Sequence, residues 1–178
     1  EPYPISIQWP SEWADDQLPV ALCRAKVLRV EQLPDDVLLG VGVDRLDYTK
    51  GIVERLLAVE RLLEAHPDFI GRFVFVQIAA PSRSTLEEYQ HFEARVRTMA
   101  ARINARFGRN GCQPIHLKVE HHPPQIVNEY YRAANVCVVT SLHDGMNLVA
   151  KEFIASRDDE QGVLVLSQFT GAARELHD

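Results

Sequence analysis

Val37-Leu38-Leu39-Gly40-Val41-Gly42-Val43, followed by Asp44-Arg45-Leu46-Asp47-Tyr48-Thr49-Lys50-Gly51, is the stretch on which the fold turns. An unbroken apolar run of this kind belongs to a strand buried on both faces, as a parallel sheet requires. The polar loop leads straight into Ile52, Leu56, Val59 and Leu63, whose spacing is that of an amphipathic helix. That helix should stop before His66-Pro67, because a residue preceding proline avoids the helical region. Strand, loop, helix is the opening unit of an α/β sheet.

The alternation continues outward. Phe73-Val74-Phe75-Val76-Gln77-Ile78 reads as a second buried strand. A long helix follows, with Ser84 or Thr85 as its cap and Glu87 or Glu88 completing a capping box. Its apolar stripe is Leu86, Tyr89, Phe92, Val96, Met99, Ile103 and Phe107, and Gly108 is its stop. Then come a strand at 115–119, a helix at 124–133, a strand at 136–139, a helix from Gly145 to about Arg157 and a strand at 163–166. Gly171-Ala172-Ala173 opens a last helix in this reading. Before the regular part lie a proline-rich lead-in and a helical segment somewhere within 11–32. The expected fold is a Rossmann-like, doubly wound parallel sheet covered on both faces.

With 178 residues the chain suits one domain rather than a complete two-domain enzyme of roughly 300. It is 46% hydrophobic and 25% charged, the mixture of a globular protein. The net charge of −6 provides no overall basic field for nucleic acid or an anionic membrane, so any phosphate site must be local. No apolar run reaches the ~20 residues of a membrane span, and the start lacks a signal-peptide layout. The three cysteines, Cys23, Cys112 and Cys137, are far apart with no CxxC pair, which suits reduced thiols in a cytoplasmic protein.

In a doubly wound sheet, ligands sit at the carboxyl ends of the strands, so the loops there are where chemistry belongs. Arg45 and Lys50 flank a turn that enters a helix N-terminus, a combination suited to a diphosphate. The same residues also fit an ordinary solvated loop with Arg45–Asp47 contacts. Neither standard phosphate loop is present: GxxxxGK[ST] is absent, and Arg45 stands where GxGxxG needs its third glycine.

Thr140-Ser141-Leu142-His143-Asp144-Gly145-Met146-Asn147-Leu148-Val149-Ala150-Lys151-Glu152 forms a second such loop. Asp144-Gly145 is a turn signal, and Asn147 or Asp144 can cap the next helix. Amides near Leu148 and Val149 would face the ligand edge, and Glu152, one turn on from Leu148, could accept two vicinal hydroxyls. A solvated surface glutamate is the plain alternative. Arg83, in the turn after the second strand, could meet an anion over the same edge. His116, Glu120, His121 and His122 lack the spacing of a shared metal site, and no nucleophile elbow is present.

VGVDRLDYTKG (41–51), QIAAPSR (77–83), RINARFG (102–108), DGMNLVAKE (144–152) and GVLVLSQFTGAAREL (162–176) together resemble the trehalose-6-phosphate synthases. These are retaining, two-domain glycosyltransferases of the GT-B type, and the resemblance covers most of 37–176. It implies the C-terminal, donor-binding half, with 1–35 as interdomain lead-in and first helix and 36–178 as a nucleotide-sugar domain truncated at both ends. Arg45 and Lys50 would hold the diphosphate of a nucleotide-glucose with Leu148 and Val149, and Glu152 would hold the ribose. Asp144, Gly145, Met146 and Asn147 would contact the donor glucose. Ile78 would lie by the base, and Arg83 would reach the acceptor phosphate. Arg45, Lys50 and Asp144 would be the catalytic groups.

The reaction so implied takes glucose from UDP-glucose to glucose 6-phosphate with retention, giving trehalose 6-phosphate, with no cofactor and no metal. Implied partners are those two substrates and the missing N-terminal domain; no nucleic acid or membrane is expected, and a homo-oligomer stays open. His143 departs from the family's usual arginine, and Pro4-Ile5-Ser6-Ile7 matches the interdomain segment loosely. The fragment alone is expected to be inactive. Two alternatives share these motifs: the donor domain of a glucosylglycerol-phosphate synthase, and a catalytically silent regulatory subunit that binds sugar nucleotides. Intact Arg45, Lys50, Asp144 and Glu152 speak against silence.

Overall fold

The computed structural model describes residues 5–8, 17–82, 85–109 and 111–176. Its elements are α1 (Val20–Val30), β1 (Leu38–Arg45), α2 (Ile52–Ala65), β2 (Phe73–Ala80), α3 (Glu87–Phe107), β3 (Ile115–Lys118), α4 (Pro124–Ala133), β4 (Val136–Val139), α5 (Leu148–Ser156) and β5 (Val163–Leu166). All strand pairs are parallel, in the order β3-β2-β1-β4-β5. The chain builds outward from β1 through β2 to β3, then returns to lay β4 and β5 on the other side. The reversal falls between β1 and β4, and a crevice opens beyond their carboxyl ends, where open α/β sheets bind ligands. This is the expected doubly wound architecture.

The sheet divides the core in two. Leu39 and Val41 of β1 face α4 and α5 with Val76, Ile78, Tyr131, Cys137 and Phe153. Phe73 and Phe75 face α2 and α3 with Ile52, Leu56, Leu63, Val96 and Ile103. The glycines of the Gly40-Val41-Gly42 run alternate onto that second face and leave room for large neighbours. A Cβ on Gly42 would stand 2.5 Å from Arg55 Nη1 and 2.7 Å from Gln77 Oε1. The run therefore makes space within the sheet.

Four expectations need correction. Helix α3 starts at Glu87 with Leu86, not Thr85, at its N-cap position and no side-chain cap among the described residues; Ser84 lies outside them. Glu87 and Glu88 instead sit in the first turn, favourably placed at the positive helix end. Gly171–Arg174 is a single 3-10 turn, because its amides bond back to the 144–146 loop rather than forward into a helix. The first helix is confined to Val20–Val30 within the described residues. Finally, β5 is not covered on both faces: Val163 and Val165 are exposed while Leu164 and Leu166 pack inward. Helices α2 and α3 follow β1 and β2, so they lie over that half of their face.

Cys23 and Cys137 are buried, and all three thiols are free. Among the described residues no helix is long and apolar enough to cross a membrane.

Candidate functional site

Beneath the crevice lies a buried polar frame. Arg55, on α2, has no solvent exposure, although its position beside the apolar stripe suggested nothing special. Its guanidinium donates to Asp44 at 2.6 Å, to Gln77 at 2.7 Å and to Thr140 at 3.1 Å, joining the ends of β1, β2 and β4. A buried charge is tolerable only when paired and fully bonded in this way.

The loop after β1 is shaped locally. Asp47 accepts from the Thr49 amide at 2.9 Å and from its hydroxyl at 2.7 Å, forming the cap of a 3-10 turn at Tyr48–Lys50. Burial pushes the Asp47 carboxyl up, but the Thr49 bonds outweigh it and hold the value below normal. Asp47 thus bonds Thr49 first; among the described residues Arg45 makes no close ion pair with it, although the Arg45 charge also helps to lower the Asp47 carboxyl. Arg45 is exposed and, among the described residues, has no hydrogen-bond or ion-pair partner. Gly51 closes the turn at φ 64°, and its position against Thr140 leaves no room for a side chain.

The loop after β4 depends on Asn147. This residue sits at φ 68° and its side chain accepts from the Ala150 amide at 3.2 Å, so Asn147 rather than Asp144 caps α5. The first helical amides, Leu148 and Val149, have no carbonyl four residues earlier within the helix. Asp144 is held at 2.6 Å by Lys50, 94 residues away in sequence, and at 3.1 Å by Asn147. Burial pushes the Asp144 carboxyl up, yet those two hydrogen bonds bring it below its ordinary value. From below, Asp144 and Thr170 form a parallel bridge, and the Ala172 amide bonds Met146 O at 2.7 Å. The small residues of Gly171-Ala172-Ala173 therefore brace this loop, a role that sequence spacing did not reveal.

These segments enclose a cavity of about 300 Å³ lined by Asp44, Arg45, Lys50, Asp144, Met146, Asn147, Leu148, Val149 and Glu152. Eight of those nine were singled out from sequence; Asp44 was missed, since it looks like one more loop charge. Gly145 lies between two lining residues in open space. Ile78 is 2% exposed within the core and does not line the cavity. Arg83 lies outside the described residues. Burial raises the Glu152 carboxyl above its normal value, and a hydrogen bond from Tyr131 at 3.1 Å partly offsets this. The histidines turn elsewhere: His116 meets Glu31 at 2.8 Å and His122 meets Glu120 at 3.6 Å. Among the described residues no three His, Cys, Asp or Glu side chains are grouped to hold a metal ion.

Two cations, helix-end amides and a one-turn-removed carboxylate stand around this one cavity. The model of glycosyltransferase family 20 matches residues 1–178. The chain belongs to glycosyltransferase family 20.

This family-20 chain is 47% identical over 153 residues to the alpha,alpha-trehalose-phosphate synthase (UDP-forming) of Pichia angusta, covering 84% of this chain and 32% of that protein. A Burkholderia xenovorans alpha,alpha-trehalose-phosphate synthase (UDP-forming) in complex with glucose-6-phosphate aligns at TM-score 0.87 and 40% identity, over 98% of this chain and 38% of the other. An E. coli structure bound with UDP-2-fluoro glucose aligns at TM-score 0.81 and 40% identity, over 89% of this chain and 36% of the other. The chain spans about a third of the length of the curated relatives it matches. The GT-B likeness of its sheet is thus shown.

Proposed function

We propose that residues 36–178 are the donor-binding domain of a trehalose-6-phosphate synthase, which moves glucose from UDP-glucose to glucose 6-phosphate with retention. The observation that carries this reading is the cavity between β1 and β4. It gathers Arg45, Lys50, the Leu148 and Val149 end of α5, and Glu152 in one small space at the strand-order reversal. A volume near 300 Å³ is at the lower end for a ligand pocket, as suits one wall of a cleft completed by another domain.

In this reading Arg45 and Lys50 take the donor diphosphate together with the Leu148 and Val149 amides. Negative charge grows on the diphosphate as UDP departs, and fixed cations with aligned amides stabilise that charge without reorganising. Lys50 now bonds Asp144, so donor binding redistributes this pair: the ammonium turns to phosphate and the carboxylate accepts from glucose hydroxyls. Gly145, Met146 and Asn147 complete the sugar side, and Glu152 accepts from the ribose. Arg83 receives the acceptor phosphate. No cofactor and no metal enters the proposal.

In this reading the 178 residues alone bind donor weakly and release no product, because a second domain, for which the relatives' greater length leaves room, completes the cleft. Calorimetric titration with UDP-, ADP- and GDP-glucose tests the site, beside an Arg45→Ala/Lys50→Ala double variant. The expected dissociation constant is on the order of 0.1–1 mM, about 4–5.5 kcal/mol. Binding of one nucleotide that vanishes in the variant supports the assignment; binding that survives the variant refutes it. Product analysis of the full-length enzyme with glucose 6-phosphate or glycerol 3-phosphate names the acceptor.

A further inference from the structure

We propose that Tyr131 is a positioning residue for the donor ribose: its hydroxyl holds Glu152 Oε2 so that the carboxylate meets vicinal hydroxyls already oriented. This inference rests on the reading of Glu152 as the ribose acceptor.

Tyr131, on α4, is 2% exposed, and its ring meets Phe153 edge-on at 6.3 Å and 81°. It packs in the same core cluster as Cys137 and Val139 of β4, so its ring position is set by the sheet and two helices. A phenylalanine would serve that packing equally. The hydroxyl is what differs, and a buried hydroxyl is costly unless it finds a partner. Among the described residues its single hydrogen-bond partner is Glu152, at 3.1 Å. Glu152 itself has few other restraints: it lines the open cavity, and no other side chain among the described residues bonds it. A long carboxylate near the start of a helix samples several rotamers, and fixing one beforehand removes part of the ordering cost of binding. One lone pair of Oε2 is occupied by Tyr131, which leaves Oε1 and the remaining Oε2 lone pair for two ribose hydroxyls.

The same contact tunes protonation. Burial raises the Glu152 carboxyl, and the Tyr131 hydroxyl draws it back down. The other ionisable groups in reach are Asp44, Arg45, Lys50 and Asp144 around the cavity and Cys137 behind it on β4. On the far side of α5, Lys151 is paired with Glu175. None of these is altered by replacing Tyr131. Loss of the hydroxyl therefore lets the carboxyl titrate at higher pH, and a protonated Glu152 loses acceptor capacity for the ribose.

The test uses full-length enzyme with Tyr131→Phe, Glu152→Gln and the double variant, assayed with UDP-glucose and glucose 6-phosphate across pH. In Tyr131→Phe, KM for UDP-glucose rises about 3–10-fold with little change in kcat, the worth of one hydrogen bond plus one ordered side chain. The acidic limb of kcat/KM for the donor moves to higher pH, and in Glu152→Gln that limb disappears. The double variant matches Glu152→Gln alone in donor KM. If Glu152→Gln leaves donor KM unchanged, the ribose assignment itself fails. If Glu152→Gln raises KM while Tyr131→Phe leaves both KM and the acidic limb in place, or if the two effects simply add, Tyr131 is packing only and the inference is overturned.

Discussion

Arg55→Met offers the sharpest test of how the site is held. Arg55 and Asp44 have side-chain exposures of 0% and 3% and meet at 2.6 Å, and the same guanidinium serves Gln77 and Thr140. Methionine roughly fills the volume but leaves the Asp44 carboxylate, the Gln77 amide oxygen and the Thr140 hydroxyl without their donor. Removing one partner of a buried pair costs about 3–5 kcal/mol, chiefly because the other charge is stranded. At ~2–4 °C per kcal/mol for a chain of this size, the melting temperature falls by about 6–20 °C. Arg55→Lys retains the charge but not the planar fork, so it loses roughly half as much. Asp44→Asn in the Arg55→Met background recovers at least about 1 kcal/mol, because the stranded charge is gone. Urea and thermal unfolding followed by circular dichroism, run as a double-variant cycle, measure all four species. A loss below about 1 kcal/mol for Arg55→Met, or strict additivity in the cycle, refutes the claim that this pair braces the strand ends beneath the cavity.

Two further outcomes follow from geometry. Glu31, though pushed up by burial, is held at about 2 by hydrogen bonds from His116, Tyr130 and Lys118, against an ordinary value of 4.5. Its folded value lies below its unfolded one, so its stabilisation is full above pH 4.5 and is lost as pH falls toward 2. At ~1.4 kcal/mol per pH unit the ceiling is about 3 kcal/mol, cut to about 1–2 by solvent reaching the cluster. The stability gap between the native chain and Glu31→Gln should close over that pH range; a gap that stays constant contradicts the assignment. Gly51→Ala places a Cβ 2.0 Å from the Thr140 carbonyl at φ 64°, whereas Gly111→Ala, at φ 80°, meets nothing within 4 Å. Both lose the conformational term of about 1 kcal/mol, and only Gly51→Ala should lose appreciably more in urea unfolding. Equal losses would show that the approach to β4 is not tight.

The α/β alternation was legible because buried parallel strands are apolar throughout and helices show their own period. Elements such as Pro124–Ala133, Val136–Val139 and Val163–Leu166 lie where the pattern put them. Element ends were read less well. The start of α3 rests on placement of Leu86 outside the helix, and the turn at Gly171–Arg174 is decided by hydrogen bonds to a loop far away in sequence. Eight of nine cavity residues were found because two loops at strand ends carry charge and glycine in a family-like order. Asp44, Arg55 and Tyr131 were missed, for opposite reasons. Asp44 and Arg55 look like surface charges along the chain, and Tyr131 looks like ordinary core.

The sequence by itself determined which segments are strands, that they run parallel, and which loops carry cations, because such patterns report a residue's neighbours within one or two turns. Only the tertiary structure decided who meets whom. Sheet order puts β4 beside β1, and that brings Lys50 to Asp144 and Thr140 to Arg55 across long stretches of chain. It also seats Ala172 under Met146 and aims a buried phenol at Glu152. Those contacts depend on strand order and close approach, quantities that no local spacing encodes.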